Sequence, residues 1–145
     1  MPQPPSREDV AKRNGRWGED VAVEHLRAIG YVIVDRNARP CPWDRRLEID
    51  IVAYDRSNDV MVFVEVKQHA SHSDRERRLR SVDRHKLRLM RRACSAWVRG
   101  NRWTGSRRFD VVEVFGTPEG GRPEVDHVER VRLFDDRERF VNWDA

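Results

Sequence analysis

Charged side chains interrupt two apolar, β-branched runs that lie close together in this chain. The first run, residues 47–54, contains Glu48 and Asp50. The second, residues 60–66, contains Glu65 and is followed at once by Lys67. A charge inside a buried strand is costly unless it is paired or holds a metal ion. These carboxylates and the neighbouring amine therefore predict either a salt-bridged hairpin or a metal-dependent site.

The turn between the two runs sets which of these charges meet. Residues 55–59 are polar and turn-forming, so the runs are predicted to pair as an antiparallel hairpin. With the loop at residues 56–59, the register sets Asp50 opposite Glu65, and the next charged pair is Glu48 with Lys67. Directly opposed residues share one face of the sheet, with Cβ atoms about 4.5–5.5 Å apart.

Two facing carboxylates repel each other unless a divalent cation lies between them. Mg²⁺ prefers a few carboxylate oxygens and keeps several waters, so Asp50 and Glu65 are the predicted metal ligands, and Mn²⁺ could substitute. Lys67 would lie beside the metal, where its amine could orient or activate a water and stabilise charge on a phosphate. The alternative is a salt bridge from Glu48 to Lys67, with the other two carboxylates in solvent. The hairpin alone favours neither interpretation.

The hairpin residues belong to a longer pattern of four segments that occur in order along the chain. The segments are GRWGEDVA from Gly15, EIDIV from Glu48, FVEVK from Phe63 and RFDVV from Arg108. They resemble the usual segments of the bacterial YraN-like family, a branch of the PD-(D/E)xK nuclease superfamily. The chain departs from that family at Leu47, where its members usually carry glycine, and this difference concerns the shape of the site entrance.

The resemblance implies both a fold and an activity. The implied fold is α/β: a mixed central β-sheet flanked by helices, with an αβββαβ restriction-endonuclease-like core. The implied activity is Mg²⁺-dependent hydrolysis of DNA phosphodiester bonds, on branched or damaged DNA, as in Holliday-junction-resolvase-like endonucleases. The catalytic residues that carry over are Glu19, Asp50, Glu65 and Lys67, with the Val66 carbonyl as a further metal ligand.

The rest of the sequence predicts the elements that hold these residues. A helix over residues 7–29 begins at a capping box of Ser6 and Asp9, and helical spacing puts Glu19 on its apolar face. Asp110 is predicted to pair with a basic neighbour. The remaining predictions are strands over residues 31–37, 108–115 and 124–131, the last as an edge strand, a second helix over residues 81–99 between Ser81 and Gly100, and a short C-terminal helix over residues 133–145.

Composition favours one folded domain in a chain of 145 residues. Residues 1–5 are predicted to be a disordered tail and residues 6–145 a single nuclease-like domain. No apolar stretch is long enough for a membrane span or a secretory signal, so no membrane partner is expected. Cys41 and Cys94 fit neither a disulfide framework nor a zinc spacing. A cytoplasmic location is therefore expected.

Net charge permits DNA as the predicted partner, because the chain carries +4 at neutral pH. Trp43, among several arginines, either stacks on a base or sugar or caps the edge of the core. His69 and His72 have a spacing seen in metal sites, but such a pair in a polar loop is usually solvated. The predicted nucleic-acid contacts are Gln68, Lys86, Arg88, Arg91 and Arg92, although an ordinary solvated basic face explains each helical arginine equally well.

Three functional hypotheses follow from these observations. The leading one is a Mg²⁺-dependent DNA endonuclease. The second is a nuclease-fold protein without catalysis, which binds DNA or a protein partner. The third is an interaction subunit that acts through its arginine-rich helix and has no affinity for DNA. The sequence leaves both a monomer and a homodimer open.

Overall fold

A computed structural model describes residues 1–71 and 84–131, and these residues form two helices and five strands. The predicted α/β class is confirmed, as is the predicted order of αβββαβ followed by an edge strand. Ser81, His72 and the predicted helix over residues 133–145 lie outside the described residues. In chain order the elements are α1 (Arg7–Ala28), β1 (Val32–Ala38), β2 (Ile49–Asp55), β3 (Val60–His69), α2 (Arg84–Asn101), β4 (Ser106–Phe115) and β5 (Glu124–Val128).

The strands form one mixed sheet in the order β1-β2-β3-β4-β5. Among the described strands, only β3 and β4 run parallel, and α2 lies between them in the chain. Asp55 pairs with Val60 and Val52 with Phe63, so the predicted hairpin register is confirmed along the paired part of the hairpin. The sheet therefore holds the two charged strand ends in neighbouring positions.

Apolar side chains cover both faces of this sheet, so that one helix packs on each face. Val62 and Val64 of β3 join the core under α1, whereas Phe63 joins the core under α2 and packs edge-to-face on Trp97 at 5.5 Å between ring centroids. Because side chains alternate along a strand, Glu65 and Lys67 are on the α2 face. Gln68 is on the opposite face.

Helix α1 begins as the sequence predicts. The Ser6 hydroxyl accepts from the backbone N–H of Asp9, and the Asp9 carboxylate accepts from the backbone N–H of Ser6 in return. Ala22 and Leu26 are fully buried against the sheet, and Glu19 is half-buried on the same side of the helix. The predicted orientation of Glu19 is confirmed.

Several predicted boundaries are wrong by one to three residues, and at two of them a residue with positive φ explains where the element ends. Helix α2 passes through Gly100 and ends at Asn101, where Arg102 takes a left-handed conformation with φ 54°. Strand β5 ends at Val128, and Arg130, with φ 57°, donates its backbone N–H to a carboxylate of β4 instead of continuing the ladder. Among the described residues, no helix is long and apolar enough to cross a membrane.

Candidate active site

The sheet divides at the position of the predicted site. The ladder between β2 and β3 has its last paired residues at Ile51 and Val64. Beyond them, β2 stays paired with β1 down to Ile49, and β3 stays paired with β4 up to His69. The register predicted Asp50 and Glu65 to be a directly opposed ladder pair, and this prediction is wrong. The two residues instead lie where β2 and β3 separate.

Asp50 fills the gap that this separation opens. Its Oδ2 accepts a hydrogen bond of 2.8 Å from the backbone N–H of Val66, a donor that would otherwise point at β2. Burial, together with the negative charge of Glu65, raises the pKa of Asp50 from 3.8 to about 7. The carboxylate is therefore poorly compensated by protein groups, and a cation would stabilise its charged form.

Glu65 is the second acidic group at this point. Burial raises its pKa, and the positive charges of Lys67 and Lys86 oppose that shift. Lys86 is on the first turn of α2, so the helix directs at least one cation at the site. The fully buried thiol of Cys94, in the core under α2, has a pKa raised by burial and then by the charge of Glu65.

Glu19 and Glu48 approach the site from α1 and from the loop before β2. Asn37, at the end of β1, links them when its amide nitrogen faces the two carboxylates, the orientation that satisfies both amide atoms. The nitrogen is then 3.2 Å from Oε2 of Glu19 and 3.3 Å from Oε1 of Glu48. Burial raises the pKa of Glu19, and the bond from Asn37 opposes that shift.

Asn37 is a site residue that sequence reasoning missed. Its backbone has φ 49°, a left-handed conformation that asparagine tolerates better than most residues. An asparagine in an otherwise apolar and charged strand was the available signal. The charges of Glu19 and Glu48 both contribute to the raised pKa of Asp50, so these residues belong to one electrostatic unit.

Close packing of α1 on β3 fixes the position of Glu19 relative to the candidate site. A Cβ at Gly18 would lie 2.9 Å from Cβ of Gln68, so only glycine permits this separation. Gln68 donates its side-chain N–H to the backbone carbonyl of Gly116 at 2.7 Å. The prediction that Gln68 points away from the Lys67 face is confirmed, and its predicted contact with nucleic acid stays a prediction.

The predicted basic contacts on α2 differ in exposure. Lys86, Arg88 and Arg92 are exposed, whereas Arg91 is half-buried. Arg92 lies 3.8 Å from Oδ2 of Asp44 in the loop between β1 and β2, so it ties that loop to the helix. The positive charge of Lys86 acts on Glu65, and the side chain of Arg88 is exposed to solvent.

His69 is on the same strand face as Glu65 and Lys67. Its Nε2 lies 3.4 Å from Oε2 of Glu113 on β4, and its ring stacks on Phe115 with centroids 5.3 Å apart. These contacts place His69 in the sheet instead of a polar loop. The predicted pairing with His72 concerns a residue outside the described part of the chain.

We call the point where β2 and β3 separate, at Asp50 and Glu65, the fork. Its donor atoms are of the kind that could hold a magnesium ion. Asp50 and Glu65 supply carboxylate oxygens, and the second oxygen of Asp50 is not used by the bond to Val66. Within the described residues, no group of three or more His, Cys, Asp or Glu side chains is arranged for a metal. Two carboxylates, supplemented by waters, match the sparse protein coordination that Mg²⁺ accepts.

The chain was compared with known proteins. The profile of the Uncharacterised protein family UPF0102 matches residues 18–114. The chain belongs to the UPF0102 family. A UPF0102 protein of Pseudarthrobacter chlorophenolicus is 39% identical over 118 residues, which are 81% of this chain and 83% of that protein. One from Corynebacterium glutamicum is 37% identical over 113 residues, 77% and 84% of the two chains. A UPF0102 protein of Herpetosiphon aurantiacus is 29% identical over 127 residues, which are 86% of this chain and 98% of that protein.

The matched UPF0102 region contains every residue of the site. It begins at Gly18, the glycine of the close contact between α1 and β3, and ends at Val114 in β4. The family thus covers the elements that form the fork, and the capping box of α1 and all of β5 lie outside it.

A second polar cluster of this UPF0102 protein lies away from the fork, under β5. Asp110 accepts from the Arg108 guanidinium at 2.8 Å and 2.9 Å, which confirms its predicted basic neighbour. His127 Nε2 is 2.8 Å from Oδ2 of Asp110, and His127 Nδ1 is 3.0 Å from Nε2 of His25 on α1. The hydroxyl of Tyr31 accepts from Arg108 at 2.6 Å. The sequence gives no spacing signal for the two histidines, because α1 and β5 meet only in the folded chain.

Proposed function

We propose that this protein is a Mg²⁺-dependent endonuclease that hydrolyses phosphodiester bonds of DNA in the cytoplasm. The observation that carries the proposal is the pair of poorly compensated carboxylates, Asp50 and Glu65, beside Lys67 where β2 and β3 separate. The four sequence segments that resemble PD-(D/E)xK nucleases support it. That resemblance also favours branched or damaged DNA, as for Holliday-junction-resolvase-like enzymes.

The residues have distinct roles in this proposal. Asp50 and Glu65, with the Val66 carbonyl, would hold Mg²⁺. Lys67 orients or activates the attacking water and stabilises negative charge that develops on the phosphate. Glu19, held by Asn37, supports the site from α1.

When bound, Mg²⁺ would supply Lewis-acid stabilisation of the phosphate and a more acidic water. The separation of the strands matters for access, because Asp50 reaches the Val66 N–H only where the ladder has ended. Because of the same gap, the carboxylates are not sealed between paired strands, and both side chains remain half-buried. Lys86 on α2 adds positive charge at this opening.

The alternative is a UPF0102 protein that binds DNA or a protein partner without cutting DNA. The stacked, half-buried environment of His69 and the structural bond of Gln68 show that some residues near the site have packing roles. Binding of Mn²⁺, measured by calorimetry on the wild type and on Asp50→Asn, separates the two functions. Metal binding that is lost in the variant supports the enzyme. DNA affinity without metal binding supports the binding module.

The test is cleavage of labelled linear and branched DNA with Mg²⁺ or Mn²⁺. We expect cleavage by the wild type and a loss of at least about 100-fold in Lys67→Ala, because a positioned catalytic group contributes about 10²–10⁴-fold. Lys12→Ala is the matched control, since Lys12 is an exposed lysine that pairs only loosely with Glu8, at 3.5 Å. Failure of the wild type to cut any of these substrates, in either metal, would reject the proposal.

A further inference from the structure

Trp43 is exposed to an extent that packing does not explain. Its relative exposure is 85%. The sequence left open whether this tryptophan stacks on a nucleotide or caps the core edge, and the structure rejects the second interpretation. A tryptophan in solvent forgoes the burial that its large apolar ring normally gains.

The loop around Trp43 is held firmly, so its exposure is a property of the fold. Cys41 and Leu47, on either side, are buried in the core under α2. The backbone N–H of Asp44 donates to the carbonyl of Cys41 at 3.0 Å, and that of Leu47 donates to the carbonyl of Asp44 at 3.1 Å. Asp44 also accepts from the Arg46 guanidinium at 3.0 Å and 2.9 Å. Two anchors and two turns therefore present the ring outwards.

Three arginines, Arg39, Arg45 and Arg46, lie within four residues of Trp43 in the sequence. Arg39 and Arg45 flank Trp43 in the sequence, and Arg45 is exposed and makes no ion pair with the part of the chain that the structure describes. The pKa of Asp44 is lowered to about 2 by Arg46, so that carboxylate is fully charged and already paired. An exposed aromatic face with an exposed arginine two residues further along the chain suits a nucleotide, whose base stacks while its phosphate meets a cation.

The loop also ends at Glu48, a residue of the candidate active site. Arg39 lies 3.5 Å from Oε2 of Glu48 across the base of the loop. Trp43 precedes Glu48 by five residues, which is at most about 17 Å of extended chain. A DNA strand bound at Asp50 can therefore extend as far as the indole ring.

We infer that Trp43 stacks on an unpaired base of the DNA next to the cleavage site, with Arg39 and Arg45 contacting the adjoining phosphates. The inference rests on the proposed function and specifies its substrate class as DNA with a single-stranded segment beside a duplex. A base in a continuous duplex is stacked on both sides, so its face is not available to Trp43.

Binding is measured by fluorescence anisotropy at fixed salt, with full-length Lys67→Ala protein and Mg²⁺ so that no strand is cut. The probes are a labelled blunt duplex and the same duplex with a single-stranded overhang. In this background Trp43→Ala and Trp43→Leu should each weaken binding to the overhang by about 5- to 100-fold, the loss expected for one stacked base. Binding to the blunt duplex should not change. Trp43→Phe should fall between Trp43→Leu and the parent.

Trp103→Phe is the matched control, because Trp103 packs against Tyr54 at the hairpin-turn end of the sheet, with centroids 6.0 Å apart. It should bind both probes as the parent does. Equal losses on both probes, or no loss, overturn the inference, and so does absence of binding to either probe. A change of oligomeric state in Trp43→Ala with unchanged DNA affinity would assign the ring to a protein contact and also overturn it.

The two proposals fail in different ways. Wild-type protein that binds the overhang through Trp43 but cuts no DNA would reject the proposed activity and keep the stacking role. Cleavage of both DNA forms with equal efficiency by wild type and Trp43→Ala would keep the activity and reject the stacking role.

Discussion

The folded protein destabilises the charged form of the Asp50 side chain. Its pKa is raised from 3.8 to about 7 by burial and by neighbouring carboxylates, even though Val66 donates a hydrogen bond to it. A raised pKa means that the folded state binds this proton more tightly than the unfolded state does. The contribution of Asp50 to the free energy of unfolding is therefore fully present below about pH 4, and it is lost as the pH rises through about 7.

Removing this charge should stabilise the protein where it is ionised. Asp50→Asn should raise the free energy of unfolding by about 2–4 kcal/mol at about pH 8 without metal, since each pKa unit corresponds to about 1.4 kcal/mol. Near pH 4 the variant and the wild type should be equally stable. Urea unfolding at both pH values, in a chelator, measures this difference. Mg²⁺ should then stabilise only the wild type, and an equal effect of Mg²⁺ on both proteins would contradict the assignment of Asp50 as a ligand.

Asn37 should influence metal binding although it is not a ligand. Asn37→Gly removes the amide shared by Glu19 and Glu48 while accepting φ 49° without strain. The Mg²⁺ concentration for half-maximal cleavage should rise about 10- to 100-fold, the usual cost of losing a residue that orients a metal site. Cleavage rate against Mg²⁺ concentration measures it. An unchanged half-maximal concentration would show that Asn37 has only a structural role.

At the scale of single residues, the sequence predicted the charged groups better than their neighbours. The carboxylates stood out because Glu48, Asp50 and Glu65 interrupt apolar strands. Asn37 did not stand out, because its role depends on a backbone conformation and on two residues distant in the chain. Trp43 was recognised, but only its exposure in the folded chain excluded packing at the core edge.

At the scale of elements, α1 is placed by a single glycine. A Cβ at Gly18 would meet Gln68 at 2.9 Å, whereas a Cβ at Gly15 would meet nothing within 4 Å. Both glycines are inside the same helix, so they form a matched pair for mutation. The contact at Gly18 matters for chemistry because the next residue is Glu19.

Alanine at these two positions should have opposite effects. Gly18→Ala should destabilise the protein by about 1–2 kcal/mol, because overpacking outweighs the gain in helix propensity. Gly15→Ala should stabilise it by about 0.5–1 kcal/mol. Urea denaturation gives both values. Gly18→Ala should also reduce cleavage at conditions where it is fully folded, and stabilisation by both substitutions would show that α1 can move away from β3 without cost.

The elements themselves followed from local signals, and the departures have local causes. The hairpin register was predictable because one polar turn separates two apolar runs of matching length. The residue at which the β2 and β3 ladder ends was not predictable. Beyond that residue β2 continues to pair with β1 and β3 with β4, and the local sequence of the hairpin does not contain this information. Arg102 and Arg130 adopt positive φ where α2 and β5 end. Arginine rarely adopts this conformation, so its presence in a sequence does not predict the end of an element.

At the scale of the whole molecule, a buried polar network connects parts of the chain that are far apart in sequence. His25 of α1 contacts His127 of β5, which contacts Asp110 of β4. Asp110 in turn binds Arg108, and its pKa is lowered by the bonds from His127 and Arg108 despite burial. The network therefore fastens the edge strand and α1 to the centre of the sheet.

This network should make part of the stability depend on pH in the direction opposite to Asp50. Burial, and then His127, lower the pKa of His25 below 6.5. Since the folded state disfavours the charged imidazole, the stability from His25 is present above about pH 6.5 and is lost as the pH falls through its lowered pKa.

His25→Gln removes this titration and keeps a polar side chain. The difference in unfolding free energy between wild type and His25→Gln should shrink steadily from about pH 7.5 to about pH 5. Urea unfolding at several pH values measures it, and a difference that stays constant would show that folding does not change the pKa of His25. Because Asp50 is present in both proteins, its opposite dependence cancels in the comparison, so the two contributions to the pH profile can be separated.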